Sequence, residues 1–138
     1  MEESRGIVFG CFDLLHAGHI MLLEEASRYC ASLTVALHTD PSIDRPDKNT
    51  PVQTYFERLI QVSAVSFVDD VVGYSHESDI IPILSYYGHD IRFLGDDYAT
   101  KEFTGKQYCE DNGITIMFLS RAHNYSTAEL RRRIRNAK

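Results

Sequence analysis

The order of apolar and amphipathic segments is the sequence feature that most constrains the fold of this chain. Ile7-Val8-Phe9 is a short apolar run typical of a buried strand, and Leu33–Leu37 is a second run rich in strand-forming residues. Between them, residues 20–30 carry apolar side chains at helical spacing. Strand, helix and strand within about 35 residues predict a right-handed βαβ unit, and hence a parallel sheet.

The rest of the chain continues this alternation. We predict strands at 6–10, 33–37, 68–72, 90–94 and 114–119. The first helix is predicted to run to about residue 30, and four more helices are predicted at 53–65, 78–87, 103–112 and 126–136. On the second helix, Phe56, Leu59, Ile60 and Ser63 are expected near one face. The chain 1–138 is therefore predicted to be one domain with a Rossmann-like, three-layer α/β/α architecture and a five-stranded, mostly parallel sheet.

The segments that follow the predicted strands hold most of the candidate functional residues. These segments are the turn from Gly10, the loop 38–51, Gly95-Asp96-Asp97 and residues 120–127. Ligands of parallel α/β sheets bind beyond the carboxyl ends of the strands, so these segments are expected to gather at one rim. The loop 38–51 is charged and contains three prolines, which predicts an exposed and mobile segment.

The stretch Gly10-Cys11-Phe12-Asp13-Leu14-Leu15-His16-Ala17-Gly18-His19 leads from the first strand into the first helix. Free backbone N–H groups at a helix start attract anions, and Gly18 lets an anionic ligand approach the backbone closely. His16 and His19 are three residues apart, so both imidazoles lie near one helical face and can grip one ligand together. These features suit a polyphosphate.

Composition narrows the functional classes. The net charge of −6 argues against broad nucleic-acid binding, and the absence of an apolar run of about 18 residues argues against membrane insertion. Met-Glu-Glu-Ser at the start is unlike a signal peptide, so a cytoplasmic location is expected.

The cysteines Cys11, Cys30 and Cys109 are too scattered for a zinc knuckle or a disulfide scaffold. The arginines of 131–135 form either a solvated last helical turn or a phosphate-facing patch.

The stretch from Gly10 to His19 resembles a motif of a known protein family. His16-Ala17-Gly18-His19 resembles the HxGH signature of the nucleotidyltransferase superfamily, and the longer frame resembles its cytidylyltransferase branch, especially glycerol-3-phosphate cytidylyltransferase. Three more stretches resemble family motifs in the same order: Lys48 with Pro51-Val52 and Glu57-Arg58; Gly95-Asp96-Asp97-Tyr98; and Arg121 through Ser126-Thr127. The sequence departs from the family pattern at Cys11, Ala122, Asn124 and Tyr125.

The resemblance implies transfer of CMP from CTP, with Mg²⁺, to a small phosphorylated alcohol, with release of pyrophosphate and a CDP-alcohol. Glycerol 3-phosphate is the first expected acceptor, and phosphoethanolamine or phosphocholine the next. The family also implies a homodimer. The departures leave open an adenylyltransferase that uses ATP on the same scaffold, and a non-catalytic nucleotide-binding module is a further alternative.

The resemblance also implies roles for particular residues. The catalytic set is His16, His19, Lys48 and Arg121; the nucleotide-binding set is Gly10, Cys11, Phe12, Asp13, Gly18, Asp96, Ser126 and Thr127; and the acceptor-binding set is Arg58, His38 and Asp40. No metal ligand is assigned, although Asp13, Asp96 and Asp97 are acids near the expected site. His123 also falls at the predicted rim.

Several of these residues have a plainer interpretation that stays open. Asp13 is also typical of a turn, Lys48 of a solvated loop, and Arg58 of an ion pair with a carboxylate. Ser126-Thr127-Ala128-Glu129 is a capping-box pattern, which is compatible with phosphate binding at the same helix start. Cys11 is interpreted as a small packing residue, because the implied chemistry needs no protein nucleophile.

Overall fold

The computed structural model describes residues 3–120, 123 and 125–138. The strands are β1 (Arg5–Gly10), β2 (Ser32–His38), β3 (Asp70–Tyr74), β4 (Ile91–Gly95) and β5 (Thr115–Leu119). The helices are α1 (Ala17–Ser27), α2 (Tyr55–Ser63), α3 (Ile80–Tyr86), α4 (Lys106–Asp111) and α5 (Thr127–Asn136), with short 3₁₀ turns at Glu77–Asp79 and Asp96–Tyr98.

The sheet has the strand order β3-β2-β1-β4-β5, and every neighbouring pair is parallel. The chain order reverses between β1 and β4, which is the switch point where such sheets bind ligands. In these two strands, Gly6–Val8 pair with Ile91–Phe93. Beyond it, the last residues of β1 and β4 separate and open a crevice.

The sheet is buried on both faces, as its apolar strands require. The core on the face of α1 and α2 includes Val8, Leu23, Ala26, Val35, Val62 and Phe93. The core on the face of α3 and α4 includes Ile7, Ala36, Ile80, Leu84 and Cys109. The predicted Rossmann-like, three-layer α/β/α fold is confirmed.

Some element boundaries differ from the prediction. β3 begins at Asp70 rather than at Val68, because Val68 belongs to a turn in which its N–H donates to the Val65 carbonyl while its side chain packs on the core. α4 begins at Lys106 rather than at residue 103, because Gly105 has a φ of 87° and interrupts the helical backbone. α1 ends at Ser27, before Cys30.

The buried face of α2 also differs from the prediction. Phe56 and Ile60 are 72% and 69% exposed, whereas Arg58 and Val62 are buried. The helix is rotated so that an arginine faces the interior, where it meets backbone carbonyls described below.

All three cysteines are free thiols, in agreement with the prediction. Within the described part of the chain, no helix has the length and apolarity needed to cross a membrane.

Candidate active site

The site begins with a strained turn between β1 and α1. Phe12 and Leu14 both have a φ of 51°, a left-handed conformation that non-glycine residues rarely adopt. The Leu14 N–H donates to the Gln53 side chain at 2.8 Å, and the Phe12 ring lies against His19 with centroids 5.1 Å apart. Such strain persists only where the surroundings hold it, and it is common at functional sites.

Asp13 holds this turn in place. Its carboxylate accepts the backbone N–H groups of Val52 and Gln53 at 2.8 and 2.9 Å, and Arg131 approaches one oxygen at 3.4 Å. Both oxygens are therefore engaged. Asp13 thus ties the turn to the segment that precedes α2, and since it also lines the cavity described below, its contact with the nucleotide stays a prediction.

The two histidines of the motif cap the start of α1. The His16 Nδ1 accepts the Gly18 N–H at 3.0 Å, and the His19 Nδ1 accepts the His16 N–H at 3.2 Å. The rings stack with centroids 3.8 Å apart. A ring nitrogen that accepts a hydrogen bond carries no proton, so each neutral imidazole bears its proton on Nε2 and can donate from that edge.

Burial lowers the pKa of His16 from its ordinary value, and the nearby His123 lowers it further. His16 is therefore a neutral donor at pH 7. Its tautomer is set by the cap, and protonation of Nδ1 would remove the bond to Gly18.

Gly18 lies where a side chain has no room. A Cβ at this position would lie 2.8 Å from the Tyr125 carbonyl oxygen, 2.9 Å from the His16 Cε1 and 3.0 Å from the His123 Cε1. The segment before α5 therefore packs directly over the start of α1, and only glycine allows this approach.

Ser126 is the N-cap of α5, where its Oγ accepts the Glu129 N–H at 3.0 Å. The other half of the predicted capping box, a bond from the Glu129 side chain to the helix start, is replaced by ion pairs. The Glu129 carboxylate binds Arg132 at 2.6 Å and Arg133 at 3.3 Å. These contacts lower the pKa of Glu129 to about 2. The arginines at 132 and 133 thus belong to a solvated helical turn, the first of the two interpretations.

A cavity of about 590 Å³ opens at the carboxyl ends of the strands. The predicted site residues that line it are Gly10, Cys11, Phe12, Asp13, His16, Gly18, His19, His38, Lys48, Ser126 and Thr127. Phe9, Tyr74, Arg92, Tyr98, Phe103, His123 and Tyr125 also line it. The structure therefore brings the motifs to one rim, as the strand order predicts. Arg121, Ala122 and Asn124 lie outside the described residues.

Arg58 does not reach this cavity, and the prediction that it binds the acceptor is wrong. Its side chain is 1% exposed, and it donates to the carbonyls of Gln53, Cys11, His38 and Thr39. The alternative of an ion pair is wrong too, since no carboxylate of the described chain pairs with it. Arg58 instead joins the turn after β1 to the end of β2.

Asp40 and Asp96 are not among the residues that line the cavity. One oxygen of the Asp40 carboxylate accepts the N–H and the hydroxyl of Ser42 at 2.9 and 2.6 Å in a local turn, and its contact with the acceptor stays a prediction. Asp96 is exposed in the 3₁₀ turn that follows β4, at the edge of the crevice rather than within it.

Residues 43–50 of the loop 38–51 are exposed, as predicted, but the loop is anchored. Asp44 accepts the Glu77 N–H at 2.8 Å and bonds His76 at 2.9 Å, while Arg45 pairs with Glu77 at 3.0 Å. Lys48 is exposed and lines the cavity, and no ion pair engages its ammonium within the described residues. The loop thus presents a cation to the crevice.

Burial raises the pKa of the Cys11 thiol, which keeps it protonated at neutral pH. A protonated thiol is a poor nucleophile. The interpretation of Cys11 as a packing residue agrees with this environment.

A magnesium ion at this site would take its ligands mainly from substrate phosphates. Among the described residues, no three His, Cys, Asp or Glu side chains are placed to hold a metal ion together. Magnesium keeps several waters and commonly binds one or two carboxylates together with substrate phosphates. Asp96 and Asp97 offer exposed carboxylates at the end of β4.

One cavity residue that the sequence analysis missed is Arg92, which lines the cavity from within β4. The available signal was a charged residue in the middle of an apolar strand of a parallel sheet, a position that rarely holds an unpaired charge. Tyr74, at the end of β3, was missed because that strand was placed two residues too early.

A crevice at the switch point of a parallel sheet, with a helix start capped by the two histidines of an HxGH sequence, defines a nucleotidyltransferase-like α/β domain. Residues 7–133 match the model of one family, cytidylyltransferase-like. The chain belongs to this family.

The relatives agree with this placement. The chain is 34% identical to the bifunctional protein HldE of Hydrogenovibrio crunogenus over 99% of its own length, and 32% identical to HldE of Granulibacter bethesdensis over 94%. It spans only 29% and 27% of those proteins.

Two solved structures share the fold. A lipopolysaccharide core biosynthesis protein from Thermoplasma volcanium is 28% identical, with a TM-score of 0.70 over 89% of this chain and 98% of that one. Pantothenate synthetase from Thermus thermophilus is 13% identical, with a TM-score of 0.59 over 87% of this chain and 56% of the other, and shows the fold alone.

Proposed function

We propose that this chain transfers CMP from CTP, with Mg²⁺, to the phosphate of a small phosphorylated alcohol. A phosphate oxygen of the acceptor attacks the α-phosphorus of CTP in line, and the bond to the β-phosphate oxygen breaks. The products are a CDP-alcohol and pyrophosphate. The HxGH cap of α1 is the observation that carries this proposal, because it holds two imidazoles in the tautomer that donates toward a phosphate.

The chemistry assigned to the residues is positioning and charge stabilisation, which is the main source of catalysis in phosphoryl and nucleotidyl transfer. His16 and His19 donate to phosphate oxygens at the reacting centre, while their Nδ1 atoms accept the Gly18 and His16 N–H groups at the start of α1. Lys48 approaches from its anchored loop as a point charge, suited to spanning two phosphates. A bound magnesium ion would supply further neutralisation of the negative charge on the phosphates.

ATP is the second candidate nucleotide. The observation in its favour is the rim before α5, where Tyr125 departs from the cytidylyltransferase pattern and stacks on His123 with ring centroids 5.3 Å apart. Aromatic rings stack on purine and pyrimidine bases alike, because every base has a π-face. The two nucleotides are therefore tested side by side.

The acceptors to be tested are chosen from the family resemblance and from one similar protein. Glycerol 3-phosphate, phosphoethanolamine and phosphocholine represent the family's acceptors. The similar Thermoplasma structure is that of a lipopolysaccharide core biosynthesis protein, so a sugar phosphate is added to the acceptors to be tested. A homodimer also remains our proposal, and light scattering after size-exclusion chromatography tests it.

The experiment measures pyrophosphate release with Mg²⁺, using CTP or ATP crossed with this panel. We expect His16→Ala and His19→Ala each to lower turnover by about 100-fold or more, the range for a lost transition-state donor. Tyr86→Ala, which removes an 84% exposed ring outside the cavity, is the control. Turnover near the wild-type value in either histidine variant would contradict the proposed roles. Nucleotide binding without release across the panel would favour the non-catalytic module.

A further inference from the structure

Arg92 is a buried cation in the wall of the cavity. Its side chain extends from β4 and is 4% exposed. The guanidinium carbon lies 4.8 Å from the centroid of the Phe9 ring and 5.1 Å from that of Phe103. The two rings therefore enclose the guanidinium and hold it through cation–π contacts.

The described chain gives the Arg92 guanidinium hydrogen bonds, one of them with the Cys109 side chain, but no counter-ion. Its Nη1 donates to the Thr104 carbonyl, and its Nε is buried without a hydrogen-bond partner. Within residues 3–120, 123 and 125–138, no carboxylate forms an ion pair with it. Glu77, an acid on the same cavity wall, is paired with Arg45. A buried charge without a counter-ion is costly, and this cost is recovered when a ligand supplies the anion.

The surroundings are shaped to accept this guanidinium. A Cβ on Gly105 would lie 2.9 Å from the Arg92 Nη1, and Gly105 also has a positive φ, so glycine satisfies both demands. His38 lies on the same wall, with its ring 4.4 Å from that of Tyr74 and its buried Nδ1 without a partner in the described chain. Two residues that each carry a buried nitrogen without a hydrogen-bond partner in the described chain thus line one cavity together with aromatic rings.

The pocket around Arg92 lies on a different side of the sheet from the histidine cap. Arg92 packs beside Gly105 and Cys109, on the face of α3 and α4, whereas the cap belongs to α1 on the opposite face. Both open into the same cavity at the strand ends. The histidine cap and Arg92 thus line one cavity of about 590 Å³.

We propose that Arg92 binds a second anionic group of the acceptor, a carboxylate or a phosphate at the end remote from the reacting phosphate. This inference rests on the proposed function, and it narrows the acceptor class to phosphorylated small molecules with a negatively charged tail. A neutral tail, as in glycerol 3-phosphate, leaves Arg92 unpaired, and the cationic tails of phosphoethanolamine and phosphocholine are repelled.

The test uses matched ligands that differ at the tail. Glycerol 3-phosphate is compared with 3-phosphoglycerate, phosphoethanolamine with O-phosphoserine, and glycerol 3-phosphate with glycerol 1,3-bisphosphate. Isothermal titration calorimetry gives each dissociation constant for the wild-type chain. We expect the ligand with the extra anion to bind about tenfold more tightly or better in at least one pair, which corresponds to about 1.4 kcal/mol. The carboxylate and bisphosphate pairs distinguish the two kinds of anion.

The Arg92→Gln variant should lose this preference while binding the ligands without the extra anion as before. Arg92→Lys, which keeps the charge but not the planar fork, should retain part of it. Equal affinity of the wild-type chain within all three pairs would overturn the proposal, as would an equal loss for both members of a pair in Arg92→Gln. Should Arg92→Gln fail to fold, the wild-type comparison decides alone.

A separate titration with CTP and ATP, without acceptor, distinguishes this inference from the proposed function. Nucleotide binding without a preference for anionic tails would refute the role of Arg92 and leave the proposed transfer intact. A preference for anionic tails without pyrophosphate release would support Arg92 and refute the transfer.

Discussion

Replacement of Arg58 by methionine is expected to destabilise the whole domain. Methionine fills much of the volume but donates no hydrogen bonds, so the carbonyls of Gln53, Cys11, His38 and Thr39 lose their shared donor. These carbonyls belong to three separate segments: the turn after β1, the end of β2 and the entry to α2. The substitution therefore loosens the connection between segments that shape the cavity.

The size of the expected loss of stability follows from the four hydrogen bonds that Arg58 donates. Hydrogen bonds from a charged donor contribute about 1.5–3 kcal/mol each, and a buried acceptor left unsatisfied adds a desolvation cost. Four such bonds at the lower value would sum to about 6 kcal/mol, but relaxation of the loops and entry of water recover part of this. We expect a loss of about 3–5 kcal/mol in the free energy of unfolding, a large share of the 5–15 kcal/mol typical of a domain.

Urea unfolding followed by circular dichroism measures this loss. Arg28→Met is the matched control, because Arg28 forms an exposed i,i+4 pair with Glu24 and should cost about 0.5 kcal/mol or less. Arg58→Lys keeps the charge with fewer donors and should fall between the two, which gives a measurable value even where Arg58→Met does not fold. A loss below about 1 kcal/mol for Arg58→Met would refute the reasoning.

Two further predictions concern pH and the helix start. Burial lowers the pKa of His89 to about 4, so between pH 6.5 and 4 the unfolded chain binds one proton more at this residue. As the pH falls through that window, the free energy of unfolding should drop by about 1.4 kcal/mol per unit, to a total of about 3 kcal/mol. Urea unfolding of His89→Phe should lack this component, and an unchanged pH profile would contradict it. Gly18→Ala should weaken CTP and ATP binding by about tenfold or more in calorimetry, because the new Cβ must displace the Tyr125 backbone. Its circular dichroism spectrum should match the wild type, and unchanged affinity would show that this close approach is unnecessary.

Much of the fold follows from local patterns in the sequence. Short apolar runs and helical spacing predict the five strands, their parallel arrangement and the rim at which the loops meet. The HxGH stretch is also readable locally, because the histidine cap joins residues only two or three positions apart. Such features need no knowledge of distant partners.

The roles of the two buried arginines were decided only by the tertiary structure. Arg58 lies on the buried face of α2 and meets the carbonyl of Cys11, 47 positions away in the sequence, whereas Phe56 and Ile60 face outward. Arg92 sits between aromatic rings from β1 and from the loop before α4. Periodicity reports which side chains are apolar, but the partner of a buried charge is a carbonyl or a ring supplied by another segment. That partner exists only once the chain has folded.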